Sequence, residues 1–368
     1  LWQHLTSMIL IISDAEDVHA RLVMGRLEEL GVPCARYSIE EMPVYSRLAA
    51  SVSSNARIQV RIRRDRGDID LDDVRTVWCR RVTDVFPDPS LSQDDRAFAT
   101  KEATVLMYSL ATALGDRFWV NPFTNALATD RGHGKVSQLE AARQVGLAIP
   151  KTLATNDPAA AREFLTGLPR GAIYKPFVAP TRNLAGEGEP PQWGTVYTNK
   201  LDDAALAGLD SVAIAPCLFQ ELVPKRLELR LTVIGNRVFA TEIHSQAHAE
   251  SSIDFRRHYA LGETPYAIHE LPPAIVERCL ALNQRLGLVF GAMDFVLTPD
   301  GEYVFLETNQ QGQFLWLEAQ TGQPLLEHFC ELLRQGRCDY QCDAGTHEVR
   351  PLPMPPPLDP RDVVVGQK

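Results

Sequence analysis

The acids with the clearest chemical spacing lie in residues 291–318, GAMDFVLTPDGEYVFLETNQQGQFLWLE. Asp300-Gly301, set between the apolar runs AMDFVLT and EYVFLET, is a strong hairpin signal. With those two residues as the turn, paired positions sum to 601, so Asp294 faces Glu307 (294 + 307 = 601). Opposed residues on one sheet face hold their Cβ atoms roughly 4.5–5.5 Å apart, and like charges there repel. Asn309 follows Glu307 by two residues and shares its face. Two carboxylates and an amide oxygen so placed are hard oxygen ligands. They suit Mg²⁺ bridging nucleotide phosphates, and a divalent ion relieves the repulsion. The alternative is a surface hairpin with its acids in water. Against it stand Met293, Phe295, Val296, Val304, Phe305 and Leu306, which bury both faces and make an unpaired acid costly. A three-residue loop would slip the register by one and undo the pairing.

Other elements must carry this hairpin. Residues 8–13 read as a buried strand, and residues 14–30 as a helix with Val18, Leu22, Val23, Leu27 and Leu30 on one face, stopped at Gly31. No Gly-x-Gly-x-x-Gly follows the strand, so the start is Rossmann-like without a dinucleotide fingerprint. Short strands follow near residues 34–37, 58–62 and 77–80. The last of them ends on Arg80-Arg81, either a solvated strand end or a pair that receives substrate carboxylates. A helix over residues 94–114 closes this first unit.

Residues 119–122 open the next one. Lys135 and Gln138 lie near the start of a helix over residues 134–145. Asp157-Pro158 caps another, and Lys175 sits in the strand AIYKPF. The loop between Thr181 and Trp193, with Gly186, Gly188 and Gly194 in and beside it, has the character of a mobile lid over phosphates or of an idle surface loop. The strand VAIAPCLFQELV runs into Gln220-Glu221-Leu222. Gly235-Asn236 marks a second hairpin, with Glu228 and Arg230 on one face by period two. A less regular stretch, residues 245–266, carries Arg256 and Arg257. Helices over residues 273–286 and 315–334 flank the opening hairpin. Residues 349–368 are rich in proline and lack apolar periodicity, which predicts a disordered tail.

Composition narrows the class. Hydrophobic content of 45% and charged content of 23% are those of a soluble globular chain, and 368 residues suffice for two or three domains. The net charge of −10 argues against a general nucleic-acid binder. No apolar run reaches the length of a membrane span. Met8 followed by four aliphatic residues reads as a natural start, with residues 1–7 an upstream extension and no signal peptide. Seven scattered cysteines are reduced, cytoplasmic usage. His328, Cys338 and Cys342 fit no common zinc spacing.

Asp, with Glu-x-Asn beginning thirteen positions later on a hairpin, resembles the metal-binding end of the ATP-grasp carboxylate–amine ligases. The string FLETNQQGQFLWLE, the VWCRR strand and the SQ…DFR segment resemble more closely the microviridin or graspetide peptide ligases. The order Lys135, Lys175, Gln220-Glu221-Leu222, Glu228, Asp294, Glu307, Asn309 matches that layout. The resemblance implies an α+β / α/β ATP-grasp fold behind a Rossmann-like pre-ATP-grasp domain. The units are residues 8–120, 121–216 with the lid and 217–335 with the metal site, followed by a tail over 336–368. It implies ATP and Mg²⁺ as cofactors, with Asp294, Glu307 and Asn309 on the metal and Lys135 and Lys175 on phosphate. The backbone at Glu221 and Leu222 would read adenine with Gln220 beside it, and Glu228 would hold the ribose. Arg230 would stabilise the transferring group, Arg256 and Arg257 would attract acidic substrate, and the backbone near Gly312 would cradle an oxyanion. The implied partner is a ribosomal precursor peptide with a leader and an acidic core, the implied assembly a homodimer, with neither nucleic acid nor membrane as partner. A ligase of a small acid or protein terminus shares this core, as does an ATP-binding module without turnover. His244, His248 and His258 are either bases towards a hydroxyl nucleophile or ordinary histidines.

Overall fold

MILII forms β1 (Met8–Ile12), the centre of a parallel sheet in the order β2-β1-β6-β7, with β2 Cys34–Tyr37, β6 Val74–Cys79 and β7 Phe118–Val120. The computed structural model describes residues 7–122, 134–177, 181–183, 193–195, 198–247 and 264–358, with the backbone alone for 181–183 and 193–195. Helix α1 (Val18–Glu29) starts where the Asp17 carboxylate accepts from Ala20 N–H, and Gly31 at φ 67° turns the chain out of it. A small antiparallel sheet of β3 (Ser46–Ser53), β4 (Ala56–Arg64) and β5 (Ile69–Asp70) packs on α2 (Gln93–Ala113).

The second unit begins with α3 (Lys135–Gln144). Its sheet, β12-β9-β13-β8, comprises β8 Thr152–Thr155, β9 Ala172–Lys175, β12 Asn199–Lys200 and β13 Cys217–Glu221. Asp157 caps α4 (Pro158–Thr166) as its sequence predicts, and α5 (Asp203–Ala207) precedes β13. Strands β10 (Thr181–Asn183) and β11 (Trp193–Thr195) pair antiparallel.

The third unit is an antiparallel sheet, β16-β15-β14-β17-β18. It contains β14 Leu227–Ile234, β15 Arg237–Ile243, β16 Tyr266–Ile268, β17 Phe290–Leu297 and β18 Tyr303–Asn309. Ile234 pairs with Arg237, so Gly235-Asn236 is the expected two-residue turn. Leu229, Leu231, Met293, Phe295, Leu297 and Phe305 bury one face against Leu139 and Ala142 of α3 and Cys279 and Leu282 of α6 (Pro273–Arg285). The predicted closing helix is two, α7 (Leu315–Thr321) and α8 (Leu325–Gln335), parted at Gly322, whose φ of 71° no β-branched residue tolerates.

These last helices return to the first sheet. Trp78 of β6 meets Phe329 at 4.7 Å between ring centroids, and Phe290, Phe314 and Phe329 lie 5.0–5.5 Å apart in pairs. Each buried ring contributes about 1.5–3 kcal/mol, so the first and last units share one core rather than touching at a surface.

The tail expected from residue 336 has no helix or strand in its described part, to residue 358, and much of it is exposed, but it is held at several points. Tyr340 is 2% exposed, with its hydroxyl 3.1 Å from His328 Nδ1. Asn236 N–H donates to Cys338 O, His347 N–H to Gly322 O, and Arg21 Nε to Pro356 O. Periodicity is no guide here, because an irregular segment can satisfy its backbone on groups supplied by α1, α7 and the β14–β15 turn. Tyr340→Ala should therefore cost about 3 kcal/mol. Urea midpoints of the two proteins check this, and a dispensable tail would leave them equal.

Candidate functional site

The hairpin reaches its expected pairing by an unexpected route. Thr298 N–H donates to Glu302 O and Gly301 N–H to Thr298 O, so the loop is three residues, with Gly301 at φ 85°. Near the turn the register is accordingly slipped: Leu297 pairs with Tyr303, Val296 with Val304, and Phe295 with Phe305. A bulge at Leu306 then absorbs one residue, and Asp294 faces Glu307, Met293 faces Thr308, and Ala292 faces Asn309. Without the bulge the slipped register would set Glu307 opposite Met293, on the apolar face. With it, Phe305 stays in the core and Glu307 turns to the other side. Arg230, Asp294 and Glu307 form one row across β14, β17 and β18.

Cations meet these acids. Arg230 Nη1 donates to Asp294 Oδ1 at 2.7 Å, and Lys135 Nζ, at the first turn of α3, donates to Glu307 Oε2 at 2.8 Å. Gln138 Oε1 accepts from Thr308 N–H, which fixes α3 on β18. Asn309 Nδ2 donates to Asp294 Oδ2 at 3.1 Å, and no described donor reaches its Oδ1. Lys175 is buried on β9. Burial pushes its pKa below the usual lysine range, while Glu307 and Asp294 pull it up and Lys135 and Lys225 push it down. Burial likewise raises the Glu228 carboxyl, against Lys225 and a hydrogen bond from Ser245. Among the described residues no three of His, Cys, Asp and Glu converge on a metal site. The hairpin set is complete only through the amide of Asn309. Its oxygen-only donors, one carboxylate on each side of a ladder rung, fit a hard divalent cation.

Several expected positions do other work. The N–H groups of Glu221 and Leu222 donate to Lys151 O and Gly171 O, so neither can serve a nucleobase. The Leu222 carbonyl and Val223 N–H, just past the strand, make no hydrogen bond among the described residues. Gln220 is 1% exposed and donates to Thr152 Oγ1 inside the sheet, where an amide side chain is drawn to the nearest hydroxyl. Gly312 N–H donates to Asn309 O and is not available to an oxyanion. The glycine is needed for room instead: a Cβ there would lie 2.4 Å from Ala292 Cβ and 3.1 Å from Arg230 Nη2. Arg80 is buried, 3.2 Å from Asp17 and donating to Gln311 O, which ties the α1 cap to the loop after β18. Arg81 is half-exposed beside Asp14 and Asp17. His244 bonds Glu242, which stands in register with Leu229 on the face opposite Arg230. Arg256, Arg257, His248, His258 and the centre of the lid loop lie outside the described residues.

Three residues escaped sequence reading. Lys225 Nζ lies 3.0 Å from Glu228 Oε1, and the VPK after a strand was its only signal. Asn121, after a cis peptide, donates from Nδ2 to Phe290 O and Gln310 O and accepts on Oδ1 from Val289 and Phe290 N–H. His19 Nε2 accepts from Phe314 and Leu315 N–H and so caps α7. Burial, with Arg80 and Arg81 beside it, pulls this imidazole from 6.5 down to about 3. The folded pKa lies below the unfolded one, so the contribution is complete above pH 6.5 and is lost as pH falls towards 3. The expected slope is up to ~1.4 kcal/mol per pH unit in that window. Denaturation midpoints across that range, compared with those of His19→Gln, measure it. The variant keeps an acceptor without the titration and should flatten the slope.

Residues 8–126 match the family model of the MvdD pre-ATP-grasp domain. A search of the curated proteins by sequence finds no match. Among solved structures the chain is similar to the macrocyclase MdnC of Microcystis aeruginosa MRC, bound with precursor peptide MdnA. The TM-score is 0.74 at 26% identity, over 89% of this chain and 99% of that one. It is similar to MdnB of the same organism, with TM-score 0.71 at 27% identity over 89% and 99%. A Chryseobacterium gregarium RiPP-associated ATP-grasp ligase, in complex with ADP and a leader and core peptide, gives 0.80 at 26% identity over 91% and 99%. The chain thus carries an ATP-grasp fold with a pre-ATP-grasp domain at its start, similar to the two macrocyclases and to the RiPP-associated ligase.

Proposed function

We propose that the chain is an ADP-forming ATP-grasp ligase that crosslinks a ribosomal precursor peptide. The observation that carries this reading is the row Arg230–Asp294–Glu307, with Asn309 beside it and Lys135 on Glu307, in a chain that covers nearly all of the similar RiPP ligases. In this reading Asp294, Glu307 and Asn309 hold Mg²⁺, which when bound neutralises charge on the transferring phosphoryl group. Lys135 and Lys175 contact phosphate oxygens as point charges. Glu228 accepts from the ribose hydroxyls, and the nucleobase edge meets the Leu222 carbonyl and Val223 N–H beside Gln220. Arg230 has a second nitrogen, Nη2, on Gln313 O at 3.2 Å, which keeps its fork planted while Nη1 serves the reacting phosphate.

The chemistry follows from activation by ATP. An Asp or Glu side chain of the peptide attacks the γ-phosphorus, ADP leaves, and an acyl phosphate forms. A Ser or Thr hydroxyl, or a Lys amine, then attacks the acyl carbon. Phosphate departs with the nucleophile's electron pair replacing its own, and an ester or amide closes a ring. Arg256 and Arg257 remain the proposed receivers of the acidic core. A leader bound away from the reacting residues raises the local concentration of that core. A homodimer in the cytoplasm is part of the same proposal, as the resemblance implies.

Mass spectrometry of a cognate precursor, incubated with the protein, ATP and Mg²⁺, should reveal the loss of one water per crosslink. A mass gain from an added amino acid would instead make the chain a small-substrate ligase. Glu307→Gln, nearly isosteric, should lower turnover at least about 100-fold while leaving the unfolding transition in place. Turnover close to wild type would remove the metal assignment.

A further inference from the structure

Each acid of the site is held by a base of the site. Glu307 pairs with Lys135 at 2.8 Å, Asp294 with Arg230 at 2.7 Å, and Glu228 with Lys225 at 3.0 Å. The most exposed members, Lys135 and Glu307, are 22% exposed, so none of the three is a freely solvated surface pair. Lys225 has no part in the reading above, yet its pair repeats the pattern of the other two. Its charge also acts on Lys175, which places it among the site cations.

Resting on the nucleotide and Mg²⁺ reading, we propose that nucleotide and metal enter this site as a coupled exchange of ion-pair partners. Lys135 and Arg230 leave their carboxylates as a divalent cation arrives and turn to phosphate oxygens. Lys225, released when ribose hydroxyls reach Glu228, is a further nucleotide-binding cation. By formal charge, neither ligand should enter well alone. Lys135, Lys175, Lys225 and Arg230 supply +4 and Glu228, Asp294 and Glu307 supply −3, a net +1. A lone divalent ion raises that to +3 and a lone ATP⁴⁻ lowers it to −3, whereas the two together bring it to −1. In a partly buried site the smaller imbalance wins.

The exchange predicts gains that simple damage cannot produce. Lys135→Met removes the ammonium from Glu307, so Mn²⁺ binding to the nucleotide-free full chain, read by electron paramagnetic resonance, should tighten about tenfold. The same variant should bind Mg·AMPPNP more weakly. Glu307→Gln frees Lys135, so AMPPNP in EDTA, read by calorimetry, should bind several-fold tighter than to wild type. Lys225→Met should weaken Mg·AMPPNP and leave Mn²⁺ binding unchanged. If Mg·AMPPNP binds wild type but neither Lys135→Met nor Glu307→Gln tightens its ligand, the exchange is overturned and the nucleotide site stands. If wild type binds no Mg·AMPPNP, both readings fall together. A weakening on Lys225→Met as large for Mn²⁺ as for the nucleotide removes Lys225 from the proposal.

Discussion

Two carboxylates opposed across one rung of a β-ladder repel each other, and much of the third unit answers that repulsion. Arg230 completes the row from β14, Lys135 reaches in from the first turn of α3, and the Asn309 amide donates to Asp294. Partly buried charges persist only when paired, so the positions of α3 and β14 are tied to Asp294 and Glu307. The bulge at Leu306 belongs to the same constraint. It lets a three-residue loop and a rung of two acids coexist in one hairpin, keeping Phe305 in the core while Glu307 leaves it.

Rigidity beneath this rung comes from the shared aromatic core. Phe290 begins the strand that carries Asp294, and its ring packs on Phe314 and Phe329, with Trp78 of the first sheet against Phe329. Asn121 adds four hydrogen bonds between the end of β7, the start of β17 and the loop after β18. His19 and Arg80 reach the 311–315 loop from the opposite direction. The N-terminal unit thereby buttresses the hairpin of Asp294 and Glu307 from behind. This accounts for a buried arginine and a low-pKa histidine far in sequence from any candidate ligand.

Lys175 is carried differently. Lys175 lies on β9, flanked by β12 and β13, in a sheet separate from the one that carries the acids. Lys175 thus arrives on a different sheet from the acids, while Arg230 shares theirs, and nucleotide bound between the sheets would bridge the two. Of the three ion pairs only Lys135–Glu307 joins the second unit to the third.

Local pattern alone determined a good deal. The β1–α1 start, the Asp157-Pro158 cap and the Gly235-Asn236 turn follow from periodicity, capping chemistry and hairpin composition, all of which act over a few residues. So does the grouping of Glu228 with Arg230 on one face of β14. What only the tertiary structure decided depends on contacts between residues far apart in the chain. Whether the Glu221 and Leu222 amides are open depends on which strands flank β13. Gly312 is explained by Ala292 and Arg230 rather than by its neighbours. Tyr340 in the C-terminal segment is buried because it finds His328 and a place in the core, not because of any period of its own. The Leu306 bulge is the sharpest case. The spacing put two acids within reach of one rung, but the loop is one residue longer than its turn signal, and the offset that brings them together keeps Phe305 packed on the α3–α6 face.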